Sequence, residues 1–185
     1  MEKRSDGEII GGNIPNNIND LKALTLDILE SIVKFPSKNP AKDNTRENIM
    51  GKRKKPIYAF VMGKVRSYSE SELVEASKNR RFPFLLSVLK KLIKVKDSNF
   101  KWNSIQVNRN VPTEWHRDKG NRGMSYCLAL GNFSGGGIDI KDDESGKIQN
   151  LNNKNKFVFY DGNLEHRTAK KYGGDRYAII WFYHT

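Results

Sequence analysis

The second half of the chain alternates short apolar runs with turn-forming segments, and this pattern restricts the fold more than any other feature of the sequence. After Lys101, apolar residues recur mainly at every second position, which indicates strands with one buried face. Segments rich in Gly, Asn and Asp separate most of these runs. The candidate strands cover residues 104–108, 113–116, 125–130, 137–140, 147–151, 156–160, 166–169 and 176–183. Eight short strands after a helical half predict a sandwich or barrel backed by helices.

The first half of the chain predicts the helices that back this sheet structure. Apolar residues at helical spacing predict a helix over residues 21–35, and the clearest amphipathic pattern covers residues 84–95. Between these two helices, residues 57–65 have the pattern of a strand. Residues 70–77 are typical of a short helix that Ser69 or Ser71 could cap.

These elements predict an α+β protein with one domain. The 185 residues are enough for one sizeable core, and the single Cys127 excludes an internal disulfide. We expect a flexible N-terminal arm over residues 1–20 and one domain over residues 21–185, with helical support up to residue 101 and a β core from residue 102. The sequence has neither a signal peptide nor an apolar run of about 20 residues, so we expect a monomeric intracellular protein without a membrane partner.

The formal charge of +12 is high for this length and indicates an anionic partner such as nucleic acid. Residues 78–101 contain eight basic residues and one acidic residue, whereas the chain from Trp102 onward contains twelve basic and nine acidic residues. Lys90, Lys91 and Lys94 lie mostly away from the apolar stripe of the predicted helix, where they could contact phosphates. A solvated helix face that keeps the protein soluble explains the same charges equally well.

Two histidines, one aspartate and one arginine follow one another in an order that predicts a metal site. Residues i and i+2 of a strand project from the same face, so His116 and Asp118 can grip one ion while Arg117 points away. His166 would complete a set of two imidazoles and one carboxylate, which non-haem Fe(II) oxygenases use. Arg176 offers a planar fork for a carboxylate.

Each member of this set also has a plain explanation. His and Asp are common in turns, His166 could simply end a strand, and Arg176 could pair with Asp175 or Asp161. The ordered occurrence of all four residues favours the metal site over these explanations.

Residues 57–185 resemble the Fe(II)/2-oxoglutarate-dependent dioxygenases, which share a double-stranded β-helix, or jelly-roll, of eight strands. The resemblance rests on the His-x-Asp pair, the distal His and the Arg that follows it. It implies that His116, Asp118 and His166 bind Fe(II) and that Arg176 holds the distal carboxylate of 2-oxoglutarate. The remaining metal positions would take the 2-oxo acid and O2.

Two further residues are candidates for contact with the cosubstrate. The segment IQVNRN is similar to the AlkB-like pattern in which an Asn hydrogen-bonds the cosubstrate, and Asn108 matches that Asn. Phe182 stands where AlkB-like enzymes carry a second Arg, which weakens a demethylase assignment. Tyr126 lies on the strand after the His-x-Asp pair, where it could contact the cosubstrate or pack in the core.

The segments HRDKGNRGMSYCLALGNFSGGGI and RYAIIWFYH resemble the TET and J-binding-protein oxygenases, which oxidise the methyl group of a DNA base. His184 lies eight residues beyond Arg176, at the spacing of a TET histidine that approaches the target base. Asn121 and Arg122 should lie at the pocket mouth and contact substrate, although an Asn-Arg-Gly turn explains them as well. The resemblance implies oxidation of 5-methylcytosine or thymine in double-stranded DNA.

Three other functions remain open from the sequence alone. One is a protein or small-molecule hydroxylase of the same superfamily, in which the basic region meets an acidic substrate. The second is an AlkB-like nucleic-acid demethylase. The third is a binding module that keeps the fold without turnover.

Overall fold

The computed structural model describes residues 13–31, 33–35, 37–38, 57–67 and 72–185, and these residues form three helices and twelve strands. The helices are α1 (Ile18–Ser31), α2 (Ser77–Arg81) and α3 (Pro83–Lys96). The strands are β1 (Ser37–Lys38), β2 (Ile57–Arg66), β3 (Leu73–Glu75), β4 (Ser104–Arg109), β5 (Met124–Leu130), β6 (Ser134–Gly135), β7 (Ile138–Lys141), β8 (Ile148–Leu151), β9 (Val158–Asp161), β10 (His166–Thr168), β11 (Lys171–Tyr172) and β12 (Tyr177–Phe182).

Two antiparallel sheets contain most of these strands. The major sheet has the order β1-β2-β4-β12-β5-β9, with β3 paired to the end of β2. The minor sheet has the order β10-β7-β8, and a short pair joins β11 to β6. Cys127 and Tyr160 of the major sheet cluster with Ile138 of the minor sheet, so the two sheets face each other. This is the sandwich of short strands that the sequence predicts.

The outer face of the major sheet is covered by α1 and α3, which carry the main apolar core. Helix α3 buries one stripe of side chains against the sheet, because its apolar residues recur at helical spacing. These helix residues are Leu85, Val88, Leu89, Leu92 and Ile93. Their partners include Ile105, Val107, Ile179 and Trp181 of the sheet. Burial of each such side chain contributes about 1.5–3 kcal/mol relative to exposure.

Alternation along the central strands separates this core from a polar interior. In β12, Ile179 and Trp181 join the helix-side core, so Ala178 and Ile180 point between the two sheets. Ala178 is paired in register with Asn108 of β4 on one side and with Ala129 of β5 on the other. A row of small or polar side chains therefore crosses the inner face of the major sheet.

The predicted helices at 21–35 and 84–95 and the strand at 57–65 are confirmed with boundary shifts of a few residues. Seven of the eight predicted strands after residue 102 are confirmed as well. Residues 1–12 of the predicted arm lie outside the described residues, while Ile18–Asp20 belong to α1. None of the helices in the described part of the chain is long and apolar enough to cross a membrane.

The predicted strand at 113–116 is wrong. His116 alone makes a backbone bridge, to His166. The amide of Thr168 donates instead to the side-chain Oγ1 of Thr113 at 2.7 Å, so a hydroxyl takes the place of a backbone carbonyl in the ladder.

The short helix predicted at 70–77 is also wrong over its described residues. Residues 73–75 pair with the end of β2, where Val65 faces Val74. The amide of Ala76 then donates to the carbonyl of Gly63 at 2.8 Å, and α2 begins only at Ser77. Pairing with an available sheet edge outweighs the local helix preference of this segment.

Candidate functional site

His116 and His166 are brought together by one reciprocal pair of backbone hydrogen bonds. The amide of His116 donates to the carbonyl of His166 at 3.0 Å, and the amide of His166 donates back at 2.9 Å. This bridge adds one residue, His116, to the minor sheet at the side of β10. Both imidazole rings lie on the same side of it, with centroids 4.3 Å apart. The pairing between two distant chain segments therefore fixes the distance between the two rings.

Asp118 completes the cluster from the loop after His116. Its Oδ1 lies 3.7 Å from Nε2 of His116, and its Oδ2 lies 3.7 Å from Nε2 of His166. The three residues offer ligand atoms that all lie within 4.8 Å of one another. The amide of Asp118 donates to the carbonyl of Gly162 at 2.8 Å, and a Cβ on Gly162 would lie 3.3 Å from Oδ2 of Asp118. Gly162 thus permits the carboxylate to sit close to the loop before His166.

Backbone carbonyls set the tautomer of both histidines. Nδ1 of His116 donates to the carbonyl of Glu114 at 2.7 Å, and Nδ1 of His166 donates to the carbonyl of Leu164 at 2.8 Å. The proton on Nδ1 leaves Nε2 of each ring as a lone-pair donor directed at the shared centre. Two such nitrogens and a carboxylate match the two-histidine, one-carboxylate set that binds Fe(II) with open positions.

Arg176 is a buried cation that no carboxylate balances in the described part of the chain. It is 3% exposed, and its Nε makes no hydrogen bond there. Its Nη2 reaches only Oδ1 of Asn153, at 3.5 Å. Burial lowers the pKa of Arg176 below its usual value, and a bound anion would oppose that shift. The guanidinium also lies 5.7 Å from the ring centroid of Phe133, and a bound anion would offset the remaining cost of burying this charge.

The plain explanation for Arg176, an ion pair with Asp175 or Asp161, does not hold. Asp175 accepts from Nη2 of Arg109 at 3.0 Å, while Oδ1 of Asp161 accepts from the amide of Asn163 at 2.9 Å. Asn110 fixes the backbone of Arg176 instead, because the Arg176 amide donates to its Oδ1 at 2.9 Å.

Two interior residues near Arg176 and His166, Tyr160 and Asn153, are not predicted from the sequence as site residues. Tyr160 is 5% exposed, and its ring centroid lies 5.4 Å from that of His166. Burial holds the pKa of Tyr160 well above its usual range, so the group stays a hydroxyl. Asn153 is fully buried and donates to Sγ of Cys127 at 3.1 Å. Alternation with Val158 could have indicated that Tyr160 points inward, whereas Asn153 lies in a loop that carries no such signal.

Of the two candidate cosubstrate residues, the structure brings only Asn108 to the interior. Asn108 accepts from Nε2 of Gln106 at 2.8 Å on the inner face of the major sheet. Tyr126 is paired with Trp181, so its side chain projects from the opposite face. Its hydroxyl donates to Asp97 at 3.2 Å, and its ring packs edge-on against Phe100. Of the two alternatives for Tyr126, the structure favours packing in the core, because strand alternation places its side chain with the helix-side core.

The three candidate substrate residues lie at the loop that carries Asp118. Nδ2 of Asn121 donates to Oδ2 of Asp118 at 3.3 Å. Asn121 also forms a backbone bridge with His184, whose Nδ1 donates to the carbonyl of Gly120 at 2.7 Å. The Arg122 side chain is exposed, and the Arg122 amide donates to the carbonyl of Tyr183 at 2.8 Å. His184 is therefore an ordered, half-buried residue at the metal end of the interior.

The basic residues of α3 lie on the other side of the major sheet from this site. The buried stripe of α3 packs on the outer face, so Lys90 and Lys94 are exposed on the far surface of the helix. Lys91 is half-buried, and its Nζ donates to the carbonyl of Ile14 at 3.0 Å. Lys90, Lys91 and Lys94, for which the sequence leaves phosphate contact and a solvated face equally open, thus do not adjoin the His116, Asp118 and His166 cluster.

The arrangement of strands is similar to that of several solved oxygenase structures. NgTET1 in complex with 5mC DNA aligns with a TM-score of 0.56 and 16% identity over 92% of this chain and 70% of that chain. An oxidoreductase of the 2OG-Fe(II) oxygenase family from Burkholderia pseudomallei aligns with a TM-score of 0.57 and 15% identity over 90% of this chain and 76% of that chain. A prolyl-4-hydroxylase from Pseudomonas putida aligns with a TM-score of 0.51 and 11% identity over 91% of this chain and 88% of that chain.

These likenesses confirm the predicted fold class, a double-stranded β-helix backed by N-terminal helices. No protein-family model matches the sequence, and no curated protein matches it either. The likenesses join proteins of different substrate classes at 11–16% identity, so they describe the fold alone.

Proposed function

We propose that this chain is an Fe(II)- and 2-oxoglutarate-dependent dioxygenase that hydroxylates the methyl group of a DNA base. The proposal rests on two features that lie in the same interior, a cluster of side chains that could bind a metal ion and a buried cation without a carboxylate partner among the described residues. The cluster of His116, Asp118 and His166 has ligand atoms suited to a metal ion. Arg176 is a buried cation whose Nε has no partner within the described residues. A dicarboxylate bound to a metal ion would satisfy both sites at once.

Different residues of this chain would bind the metal ion and the distal carboxylate, at opposite ends of the interior. His116, Asp118 and His166 would hold Fe(II), and Arg176 would pair with the distal carboxylate of 2-oxoglutarate through its planar fork. When bound, Fe(II), 2-oxoglutarate and O2 supply the oxidation of a substrate C–H bond to an alcohol, with release of succinate and CO2. Hydrogen bonds from Nδ1 to backbone carbonyls fix the orientation of the two histidine rings that would hold the metal.

Asn108 and Tyr160 border the space between these two ends. The Asn108 side chain projects from the same inner face as Ala178. The pKa of Tyr160 is raised, so its hydroxyl can donate a hydrogen bond to an anion without itself ionising. We propose that both residues orient the cosubstrate and that Tyr126 does not.

The choice of a DNA base as substrate is supported by charge, by the residues at the metal end and by one structural neighbour. The chain has a formal charge of +12, and Lys119 and Arg122 are exposed beside Asp118. Asn121 and His184 border the same loop, at the place where a base flipped out of the duplex would approach the metal. NgTET1, solved with 5mC DNA, has a similar arrangement of strands.

The test is nucleoside mass spectrometry of duplex DNA that contains thymine and 5-methylcytosine. The DNA is incubated with the protein, Fe(II) and O2, with and without 2-oxoglutarate, and succinate is measured in the same samples. Asp118→Ala is the matched inactive control, because it removes one ligand from the cluster. We expect a hydroxymethyl nucleoside that requires both 2-oxoglutarate and Asp118.

The other outcomes separate the remaining functions. Succinate formation stimulated by peptide or by a small molecule, with DNA unchanged, would identify a hydroxylase of another substrate class. Loss of an N-linked methyl group would identify a demethylase. Tight DNA binding that survives Asp118→Ala, with no succinate under any Fe(II) condition, would identify a binding module and overturn the proposed activity.

A further inference from the structure

A cavity of about 400 Å³ opens beside Arg176, between the segments that precede His116 and follow His166. Its walls are residues 110–114 on one side and residues 167–171 on the other, and Arg176 lines it as well. None of the three candidate metal ligands is among its lining residues. The cavity therefore reaches the interior at the Arg176 end.

This entrance is far from the loop that holds the candidate substrate residues. Arg176 directly precedes β12, whereas His184 follows the end of the same strand. His184 lies eight residue steps beyond Arg176, which corresponds to roughly 26 Å along an extended chain. At the His184 end, Tyr183 and Thr185 are hydrogen-bonded to the loop at residues 120–122. A bound macromolecule at that end would leave the cavity at the Arg176 end uncovered.

The cavity wall is strongly positive. Its charged lining residues are Arg167, Lys170, Lys171, Arg176 and a single carboxylate, Glu114. A dianion is attracted to such a wall before it makes any specific contact, because the low-dielectric wall focuses the field into the cavity.

Two of the cations are held in place on this wall. The guanidinium of Arg167 lies 4.5 Å from the ring centroid of Trp115, and its Nε donates to Asp139 at 3.0 Å. Nζ of Lys171 donates to the carbonyl of Gly173 at 2.9 Å. Lys170 is exposed at the rim, where its Nζ lies 5.2 Å from the Tyr172 ring. Lys170 is thus the cation best placed to meet a ligand that arrives from solvent.

We propose that the dicarboxylate cosubstrate enters and leaves through this cavity, separately from the macromolecular substrate at the His184 end. The inference rests on the proposed function, since it takes 2-oxoglutarate as the ligand of Arg176. A molecule that enters with its 2-oxo acid end first arrives with its distal carboxylate already at Arg176. Entry from the His184 end would require the distal carboxylate to pass His116, Asp118 and His166 before it reached Arg176.

The test is the association rate of 2-oxoglutarate with the full chain loaded with Mn(II) in place of Fe(II). Stopped-flow fluorescence can follow binding, because Trp115 lies against Arg167 in the cavity wall. Lys170→Glu should slow association by about 3- to 10-fold at low ionic strength, and added salt should shrink the effect. The dissociation rate should change much less, because Lys170 lies at the rim.

Matched variants separate the two entrances. Arg122→Glu makes the same change of charge at the His184 end and should leave the association rate within about twofold of wild type at an ionic strength of about 0.1 M, where the Debye length of about 10 Å screens a distant exposed charge. Glu114→Gln should raise the rate, because it removes the one carboxylate from the cavity lining. Ala169→Phe should slow association without a change of charge, because Ala169 lines the cavity.

The outcomes distinguish this route from the proposed function. Saturable binding that is slowed by Arg122→Glu and unaffected by Lys170→Glu and Ala169→Phe would overturn the cavity route and leave the cosubstrate assignment intact. Absence of saturable 2-oxoglutarate binding to the wild-type protein would overturn both.

Discussion

The two faces of the major sheet use the same strands for opposite purposes. On the outer face, Val107, Ile179 and Trp181 are almost fully buried against the helices. On the inner face, some alternate residues of the same strands are small or polar, such as Asn108 and Ala178, while Cys127 and Ile180 form a smaller apolar cluster. One strand therefore contributes at once to an apolar core and to a polar interior.

The two faces differ in their effect on stability, because the outer face stabilises the fold and the inner face buries groups that destabilise it. Packing of apolar side chains on the outer face removes apolar surface from water and leaves few polar atoms to satisfy. Each face leaves one uncharged buried group without a hydrogen bond in the described residues, Nε1 of Trp181 on the outer face and Oγ of Ser125 on the inner face, but only the inner face buries a cation, Arg176, without a carboxylate partner. A buried charge costs far more stability than a neutral group unless a ligand pairs with it, so Arg176 indicates a binding site.

Substitution of a candidate metal ligand should have the largest effect on the inner face. Asp118→Ala removes the only carboxylate of the cluster, so we expect the affinity for Fe(II) or Mn(II) to fall at least about 100-fold, beyond the usual cost of losing an outer-shell partner. The melting temperature of the metal-free protein should stay nearly unchanged. Metal titration followed by electron paramagnetic resonance of Mn(II) measures the first quantity. Asp142→Ala, in an exposed turn, is the control; an equal loss of affinity in both variants would contradict the assignment.

A cavity introduced into the apolar core on the outer face should lower the stability of the protein and leave its metal affinity unchanged. Leu89 is fully buried between α3 and the sheet, so Leu89→Ala should lower the free energy of unfolding by about 2–5 kcal/mol. The folded fraction should bind metal as wild type does. Urea unfolding measures the loss, and Lys90→Ala, at the exposed neighbouring position, is the matched control. A large loss of metal affinity in folded Leu89→Ala would show that the two faces are coupled.

The sequence predicts the outer face better than the inner face for a physical reason. Helical and two-residue periodicities record which side chains are buried, and they locate α3, β4, β5 and β12 to within a few residues. The grouping of His116, Asp118 and His166 is also predictable, because two histidines and one aspartate in this order are typical of one metal-ligand set. Periodicity does not record which of two buried faces a strand residue occupies, and so the sequence leaves Tyr126 open between cosubstrate contact and the core, where the structure packs it against Phe100.

Residues placed by loops and by tertiary pairing escape prediction for another reason. His116 is positioned by a single bridge to a residue fifty positions away, not by a strand of its own. Asn153 comes from a turn-forming segment, and only the folded chain shows that it contacts Cys127 and Arg176. Local sequence carries no information on such contacts, because they depend on the register of the sheets.

A pair of substitutions tests the assignment of Asn108 and Tyr126 to opposite faces. Asn108→Ala removes a polar group from the inner face and should weaken 2-oxoglutarate binding by about 3- to 10-fold, the value of one hydrogen bond. Tyr126→Phe removes only a hydroxyl bonded to Asp97, so the affinity should not change. Isothermal titration with the Mn(II)-loaded protein measures both. A weaker complex with Tyr126→Phe alone would reverse the assignment.

The smallest expected effect concerns the two groups of exposed basic residues. Lys90 and Lys94 lie outside the major sheet, whereas Lys119 and Arg122 lie beside Asp118. If DNA approaches the metal end, replacing Lys119 and Arg122 by Ala should flatten the dependence of log affinity on log salt by about 0.9 per lost phosphate contact. The same replacement of Lys90 and Lys94 should leave the slope unchanged, because the sheet separates them from the site. Fluorescence anisotropy with a duplex at several salt concentrations gives both slopes. A flatter slope only in the Lys90 and Lys94 variant would place the duplex on α3, too far from His116 and His166 for one of its bases to reach the metal cluster.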